Sequence, residues 1–267
     1  MSRLLTWNVA GRVGRLEEQA AAVAAVHADL VALQEVTRRT APLWRERLAA
    51  AGLPHVRCAL DDLPAQPAGP DPGRRPLGVL VAARDELRPL APPAGPWPER
   101  TLAAAARLDG EPVAVLAVHA PISQRAHGVK VLALEAIGAW LAARPERRVV
   151  LLGDLNTPRR EHPDGTVTTF ARDRDGTLRA DRGERHDDAE RGVTEEGLRG
   201  LGFADAFRAV HGWEAKERSW TYPNGGGYRL DHVLVRGAAD VRAAAYAHEL
   251  RAAGLSDHSA LAVDLAF

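Results

Sequence analysis

The chain has 267 residues, a length that suits one large α/β domain or two small ones. Basic and acidic residues balance at 35 each, so the chain lacks the overall positive charge of many DNA-coating proteins. The single cysteine, Cys58, excludes an internal disulfide, and no apolar run approaches the roughly 20 residues that span a bilayer. No signal-peptide pattern precedes Leu4, so we expect a cytoplasmic monomer without membrane insertion.

Hydrophobic periodicity predicts alternating strands and helices through the first part of the chain. The predicted strands lie at 3–9, 30–33, 77–82, 102–108, 113–118 and 149–152. Helices are predicted at 16–27, 40–51 and 129–143, and surface loops rich in Pro or Gly at 61–76 and 89–98. Asp109-Gly110 is typical of a hairpin turn between two of the strands.

The periodicity fails from 158 to 192, where Arg, Asp, Glu and Gly crowd the sequence. This predicts a long loop insertion with little regular structure, and such loops are functional or disordered. A helix at 194–201 and strands at 229–235, 242–248 and 260–265 follow. No linker or repeat interrupts the chain, so we expect a single domain over 1–267. Because strands outnumber helices and hairpins mix with crossovers, two packed sheets covered by helices are predicted.

Acid, amide and imidazole side chains stand at the ends of these apolar runs. They are Asn8, Glu35, His119, Asp154, Asn156, Asp231, Asp257 and His258. Carboxylates bind hard cations, whereas amides and imidazoles donate to phosphate oxygens. If these side chains converge, the sequence predicts a site for a divalent metal ion and a phosphate.

Each residue also has an ordinary structural interpretation. Asn8 can be a turn amide, and Glu35 a solvated carboxylate at a strand end. Asp154 and Asn156 share one face if the backbone is extended, but the same sequence can form an Asx turn. A lone histidine such as His119 is usually structural, and Asp231 can pair with Arg229.

In this order, the motifs Trp7-Asn8, Gln34-Glu35, His119, Gly153-Asp154-Leu155-Asn156, Arg229-Leu230-Asp231 and Ser256-Asp257-His258 resemble the endonuclease/exonuclease/phosphatase superfamily. That superfamily comprises metal-dependent phosphoesterases and includes deoxyribonuclease I and exonuclease III. The resemblance runs from Leu4 to Leu265 and implies a four-layer α/β sandwich with the site at the strand ends.

The resemblance also implies roles for the matching residues. Asn8, Glu35 and Asp257 belong to the metal site, which takes Mg²⁺ or Mn²⁺. His119 donates to a phosphate or leaving-group oxygen. On an extended backbone, the spacing of Asp154 and Asn156 would itself let Asp154 hold the attacking water while Asn156 donates to a phosphate oxygen.

Asp231 orients His258, and either His258 or Asp154 takes the proton from water. One departure concerns Ala10, which stands where exonuclease III relatives carry a second carboxylate.

The substrate-binding candidates are aromatic and basic. Tyr228 stands directly before Arg229-Leu230-Asp231, where the resemblance implies a sugar or base pocket, and Trp220 lies close by in the sequence. Core packing is the alternative for Tyr228. Arg159 and Arg160 follow the Asp154 motif and could grip DNA phosphates, as could Arg12 and Arg125, although neighbouring acids also fit a solvated surface.

The leading interpretation is a Mg²⁺- or Mn²⁺-dependent phosphodiester hydrolase that acts on DNA as an endonuclease or exonuclease. One alternative is a phosphatase or phosphodiesterase for a small or lipid phosphate. Another is a non-catalytic binding protein with the same fold.

Overall fold

A computed structural model describes residues 1–61, 63, 75–122, 128–238 and 240–267. Most of the loop predicted at 61–76, and Arg125, lie outside the described residues.

Strands and short helices alternate along the chain. The strands are β1 (Ser2–Asn8), β2 (Leu30–Val36), β3 (His55–Cys58), β4 (Gly78–Ala83), β5 (Arg88–Pro89), β6 (Thr101–Leu108), β7 (Glu111–His119), β8 (Val149–Asp154), β9 (Arg160–Glu161), β10 (Val167–Thr168), β11 (Phe203–Asp205), β12 (Trp220–Thr221), β13 (Gly227–Tyr228), β14 (Asp231–Arg236), β15 (Asp240–Ala247) and β16 (Ala260–Ala266). The α-helices are α1 (Leu16–Ala25), α2 (Ala41–Ala50), α3 (Val129–Ala142), α4 (Glu184–Arg191), α5 (Glu195–Leu198), α6 (Ala206–His211) and α7 (His248–Ala252), with 3₁₀ turns at Pro98–Arg100 and Arg199–Leu201.

Two six-stranded sheets form the centre of the fold. The first has the order β15-β16-β1-β2-β4-β3, and the second β11-β14-β8-β7-β6-β5. β1 and β2 are parallel, as are β7 and β8, whereas the other neighbours in the two sheets are antiparallel. Both sheets are therefore mixed.

Side chains alternate between the two faces of each central strand. In β8, Val150 and Leu152 pack in the core between the sheets, whereas Val149 and Leu151 pack in the core that includes α3. Because both faces are covered, the strand is a continuous apolar run. On the outer face of the first sheet, Trp7 packs in a core with residues of α1 and α2. The predicted four-layer α/β sandwich is confirmed.

The segment 158–192 differs from its prediction. It contains the two-residue strands β9 and β10, which pair with each other, and the eight-residue helix α4. Outside these elements the segment is irregular, as expected. The prediction missed α4, because its buried residues include charged side chains and its sequence has no apolar periodicity. β3, at the edge of the first sheet, was also not predicted. Within the described part of the chain, no helix has the length and apolar character needed to cross a membrane.

Candidate active site

Strand register places three of the predicted residues side by side at one end of the second sheet. His119 is opposite Asp154 across the parallel pair β7–β8, and Asp231 is opposite Asp154 across the antiparallel pair β8–β14. Asn8 closes β1 in the first sheet, opposite Gln34 of β2. The two sheets thus deliver their polar strand ends to one edge of the sandwich.

The backbone at this edge is unusual. A Cβ atom on Gly153 would lie 2.0 Å from the Val118 carbonyl oxygen, so only glycine allows β7 and β8 to approach this closely. Glu35 has φ of 62° and follows Leu33 at an irregularity in the β2–β4 pairing. Such irregularities redirect a side chain, and a non-glycine residue at positive φ is held there by its surroundings.

Asp231 and His258 form a buried hydrogen-bonded pair. His258 Nδ1 donates to Asp231 Oδ2 at 2.8 Å, which leaves His258 Nε2 facing Asp154 Oδ2 at 3.8 Å. Burial lowers the pKa of His258, but attraction to Asp231 and Asp154 outweighs it and raises the pKa to about 10. The sequence-predicted pairing of Asp231 with His258 is present in the geometry.

Backbone contacts hold this pair in place. Ser219 Oγ accepts hydrogen bonds from the backbone N–H groups of Leu230 and Asp231, at 2.9 and 3.1 Å. Ser256 Oγ donates to the Asn8 carbonyl at 2.5 Å and accepts from the His258 N–H at 3.1 Å. The loop that carries His258 is therefore tied to the end of β1.

Asn8 joins two carboxylates from different sheets. Its Nδ2 atom donates to Asp154 Oδ2 at 3.0 Å and to Glu35 Oε1 at 3.3 Å, while its Oδ1 accepts from the Ala10 N–H at 3.0 Å. Burial, the largest effect, raises the pKa of Asp154 to about 7. In this arrangement Asn8 positions the carboxylates, and its direct contact with a metal ion stays a prediction.

Asn156 lies in the site, but on a turning backbone. Its φ is 50°, so the expected extended geometry from Asp154 to Asn156 is wrong. Asp154 Oδ1 accepts from the Asn156 N–H at 2.9 Å, which is the Asx-type contact that the sequence left open. Asn156 Nδ2 donates to the Ala120 carbonyl at 2.8 Å, leaving its second hydrogen for another acceptor.

His119 faces the two carboxylates and an arginine that the sequence did not reveal. Its Nε2 atom is 3.6 Å from Glu35 Oε1 and 3.7 Å from Asp154 Oδ2. Arg100 Nη1 lies 2.7 and 2.8 Å from the two ring nitrogens. A guanidinium can only donate, so this contact favours a ring nitrogen with a free lone pair.

Several of the predicted residues line a cleft of about 450 Å³, here called the polar cleft. Its polar lining comprises Glu35, His119, Asp154, Asn156, Asp257 and His258, and its apolar wall includes Phe170, Trp220, Tyr222 and Tyr228. Asp257 is exposed, and its Oδ2 accepts from Trp220 Nε1 at 3.1 Å. Asp257 therefore lies at the rim of the cleft, and its role as a metal ligand stays a prediction.

The aromatic wall is a packed cluster. The rings of Trp220 and Tyr228 are parallel with centroids 6.2 Å apart, and Phe170 meets Tyr228 edge-on at 4.9 Å. Trp220 also forms a β-bridge with His258. The wall is thus attached directly to the predicted catalytic loop.

Arg159 and Arg160 line a neighbouring cleft that shares Tyr222 and Tyr228 with the polar cleft. Arg159 donates to the Arg172 carbonyl at 2.7 Å, whereas Arg160 is exposed. Arg12 is exposed after the turn that follows β1 and lines neither cleft.

The donor set fits a hard divalent cation. Asp154, Asp231 and His258 each offer one ligand atom, and these atoms lie within 4.8 Å of one another. Asp231 Oδ1 is buried without a hydrogen-bond partner. An unsatisfied buried carboxylate oxygen is costly unless a cation compensates it. Two carboxylates and one imidazole, with no cysteine in the cluster, match Mg²⁺ or Mn²⁺ better than a structural zinc site.

Several supporting residues lay beyond sequence reasoning. Lys130 Nζ donates to the Asn156 carbonyl at 2.8 Å and to Glu190 Oε1 at 2.5 Å. Phe170 and Glu190 belong to the segment that was expected to be irregular. Arg100 directly precedes β6, which pairs with β7, the strand that ends at His119. No local motif marks these residues, because each reaches the site through contacts between distant parts of the chain.

Comparisons with known proteins agree with this geometry. A model of the Endonuclease/Exonuclease/phosphatase family matches residues 5–258. Among solved structures, an AP endonuclease from Archaeoglobus fulgidus is similar with a TM-score of 0.70 and 20% identity, covering 99% of each chain.

Two further similar structures contain DNA. A 3′ phosphatase, NExo, from Neisseria bound to a product DNA hairpin has a TM-score of 0.67 and 20% identity, with 100% of both chains covered. D. rerio TDP2 complexed with a single-strand DNA product has a TM-score of 0.65 and 17% identity, covering 100% of this chain and 99% of that one. No curated protein sequence matches. The fold, the ordered motifs and the family match together establish that the chain belongs to the endonuclease/exonuclease/phosphatase family.

Proposed function

We propose that the protein is a Mg²⁺- or Mn²⁺-dependent phosphodiester hydrolase that acts on DNA. The observation that carries this proposal is the convergence of Glu35, Asp154 and the Asp231–His258 pair on one cleft. A binding protein without hydrolysis has no need of a hydrogen-bonded carboxylate–imidazole pair aimed at a second carboxylate. A cytoplasmic location and a monomeric state stay predictions.

Two adjoining donor sets would hold the cation. One is Glu35 with the Asn8 amide and Asp257 at the rim, and the other is Asp154, Asp231 and His258. When bound, the cation supplies positive charge that polarises the phosphate and stabilises the departing oxygen.

The protein's own groups position the reactants. Asp154 Oδ2, whose pKa is raised to about 7, would accept the proton from the attacking water. His258 Nε2, 3.8 Å away and protonated near neutral pH, would donate to a phosphate oxygen. His119 and the second Nδ2 hydrogen of Asn156 face the cleft and would donate to phosphate oxygens. Asp231 fixes the orientation of the imidazole throughout.

DNA is favoured over a small phosphate ester by the surroundings of the polar cleft. Trp220, Tyr222 and Tyr228 offer ring surfaces on which a sugar or base can pack. Three of the similar structures, an AP endonuclease and two enzymes bound to a DNA product, support the same choice.

Cleavage of a plasmid and of labelled oligonucleotides, after chelation and after selective return of each metal, tests this proposal. We expect no cleavage in excess chelator and recovery with Mg²⁺ or Mn²⁺. Full activity in chelator contradicts the metal assignment, whereas metal-dependent turnover of a small phosphate ester without DNA cleavage contradicts the nuclease assignment.

Titration of the metal-free protein with Mn²⁺ separates the two donor sets without an activity readout. Glu35→Gln should weaken Mn²⁺ binding at least about tenfold, equivalent to ~1.4 kcal/mol, if Glu35 is a ligand. Unchanged affinity in Glu35→Gln, together with weaker binding in Asp231→Asn, would assign the ion to Asp154, Asp231 and His258 instead.

A further inference from the structure

A second cleft, of about 570 Å³, adjoins the polar cleft and shares Tyr222 and Tyr228 with it. We call it the arginine cleft, because Arg159, Arg160, Arg174 and Arg218 line it. No Asp or Glu is among its described lining residues. Four like charges in one concave surface repel one another and focus a positive potential.

This accumulation contrasts with the rest of the molecule. The chain has equal numbers of acidic and basic residues. Three other arginines of this region are paired: Arg172 with Asp187, Arg208 with Glu161, and Arg229 with Asp205. Within the described ranges, no carboxylate lies within 4.0 Å of the guanidinium groups of Arg160, Arg174 or Arg218.

The arginines come from separate parts of the chain. Arg160 lies on β9, Arg174 lies between β10 and α4, and Arg218 precedes β12. Arg159 is positioned by its hydrogen bond to the Arg172 carbonyl and by the Phe170 ring, whose centroid is 5.6 Å from its guanidinium carbon. Tertiary folding, including the segment 158–192, therefore assembles the positive charge beside the aromatic wall.

We propose that the arginine cleft binds the backbone phosphates of a DNA strand next to the phosphate held in the polar cleft. This inference rests on the proposed function and extends it to a substrate with at least two phosphates. Tyr222 and Tyr228 line both clefts, so a nucleotide that bridges them would pack its base or sugar on these rings. Guanidinium groups bind phosphate oxygens through paired N–H donors.

The test measures binding of a fluorescent single-stranded oligonucleotide to the metal-free protein in excess chelator, as a function of salt. The double variant Arg174→Ala, Arg218→Ala should bind the oligonucleotide more weakly. A plot of the logarithm of the binding constant against the logarithm of the salt concentration should also be less steep, by about 1.4 in slope. Each phosphate of a single strand that an arginine neutralises contributes about 0.7 to this slope. Binding should also strengthen sharply from a mononucleotide to a dinucleotide.

The matched control combines Arg107→Ala with Arg242→Ala, which removes the same charge. Arg107 lies opposite Pro112 in the strand register, near the β6–β7 hairpin. Arg242 is exposed on β15, two residues after Asp240, which lies opposite Ala266. Both arginines are therefore at the sheet ends opposite the site. The control should leave the salt slope unchanged. An equal fall in both double variants, or no fall in either, overturns the proposal.

Two further outcomes separate this inference from the proposed function. Arginine-dependent oligonucleotide binding without cleavage in the presence of metal supports the cleft assignment and contradicts the nuclease assignment. Arginine-dependent binding of phosphatidylserine vesicles, with no binding of the oligonucleotide, overturns the cleft assignment.

Discussion

At the scale of single residues, the Asp231–His258 hydrogen bond determines which imidazole nitrogen faces the cleft. A carboxylate accepts only, so the proton on this side of the ring lies on Nδ1, and Nε2 points toward Asp154. Asp231 is itself fixed through its backbone, since its N–H donates to Ser219 and its carbonyl accepts from the Tyr246 hydroxyl. The end of β14 therefore fixes the orientation of the imidazole through Asp231.

This arrangement predicts coupled effects of substitution on the hydrolysis rate. His258→Ala should lower kcat by at least about 10²-fold, the scale expected for removal of a positioned acid–base group. Asp231→Asn should cost less, and the double variant should be little worse than His258→Ala alone, because the two residues act as a unit. Single-turnover rates of oligonucleotide cleavage check this, with circular dichroism as the control for folding. Multiplicative losses in the double variant would show that the two residues act separately.

At the scale of elements, the segment 158–192 supports the loop that carries Asn156. Glu190 on α4 accepts hydrogen bonds from Lys130 on α3 and from the backbone N–H of Phe170, both at 2.5 Å. Burial raises the pKa of Glu190, but attraction to Lys130 and hydrogen bonds with His186, Lys130 and the Phe170 N–H outweigh it and lower the pKa to about 2. Lys130 in turn donates to the Asn156 carbonyl. A buried ion pair therefore connects the segment 158–192 to the loop that carries Asn156.

Breaking this pair should destabilise the protein strongly. Lys130→Met leaves the Glu190 carboxylate buried without its cation, a change that typically costs about 3–5 kcal/mol. Adding Glu190→Gln should recover part of this stability, because no unpaired charge then remains. Urea unfolding at pH 7 measures both effects.

The same two helices supply the control for that experiment. Glu135 on α3 and Arg185 on α4 form an exposed ion pair at 2.7 Å, so Glu135→Gln should cost less than about 1 kcal/mol. Simple addition of the losses from Lys130→Met and Glu190→Gln, with no recovery in the double variant, would count against the buried pair.

At the scale of the whole molecule, the parts that could be predicted are those encoded locally. Asn8, His119 and Asp154 each end a strand that is a visible apolar run, so their shared edge followed from the predicted sheets. α4 could not be predicted, since its sequence has no apolar stripe and its buried residues include Asp187 and Glu190. Of the arginine cleft, Arg159 and Arg160 were candidates from the sequence, whereas Arg174 and Arg218 were not, because tertiary folding decides which arginines share the cleft.

A second buried network joins the sheets to the segment 158–192 and should make stability depend on pH. Glu161 on β9 accepts hydrogen bonds from Arg208 and Arg229, and Arg229 also donates to Asp205. Burial raises the pKa of Glu161, but attraction to Arg229 outweighs it and lowers the pKa from 4.5 to about 2. A lowered folded-state pKa stabilises the fold above the unfolded pKa, and this stability is lost as the pH falls toward 2.

Glu161→Gln should therefore lower the free energy of unfolding most near neutral pH. The shift in the pKa of Glu161 corresponds to about 3 kcal/mol, present in full above about pH 5 and fading as the pH falls. Urea unfolding of the wild type and the variant, compared between pH 7 and pH 3, measures the gap between them. Other buried carboxylates titrate in both proteins, so their effect cancels in the difference between the two free energies of unfolding. The change of that difference with pH therefore reports on Glu161 alone. Glu17→Gln, which breaks an exposed pair with Arg47, should show a small gap at every pH. A gap for Glu161→Gln as large at pH 3 as at pH 7 would mean that packing, and not charge, explains the contribution of Glu161.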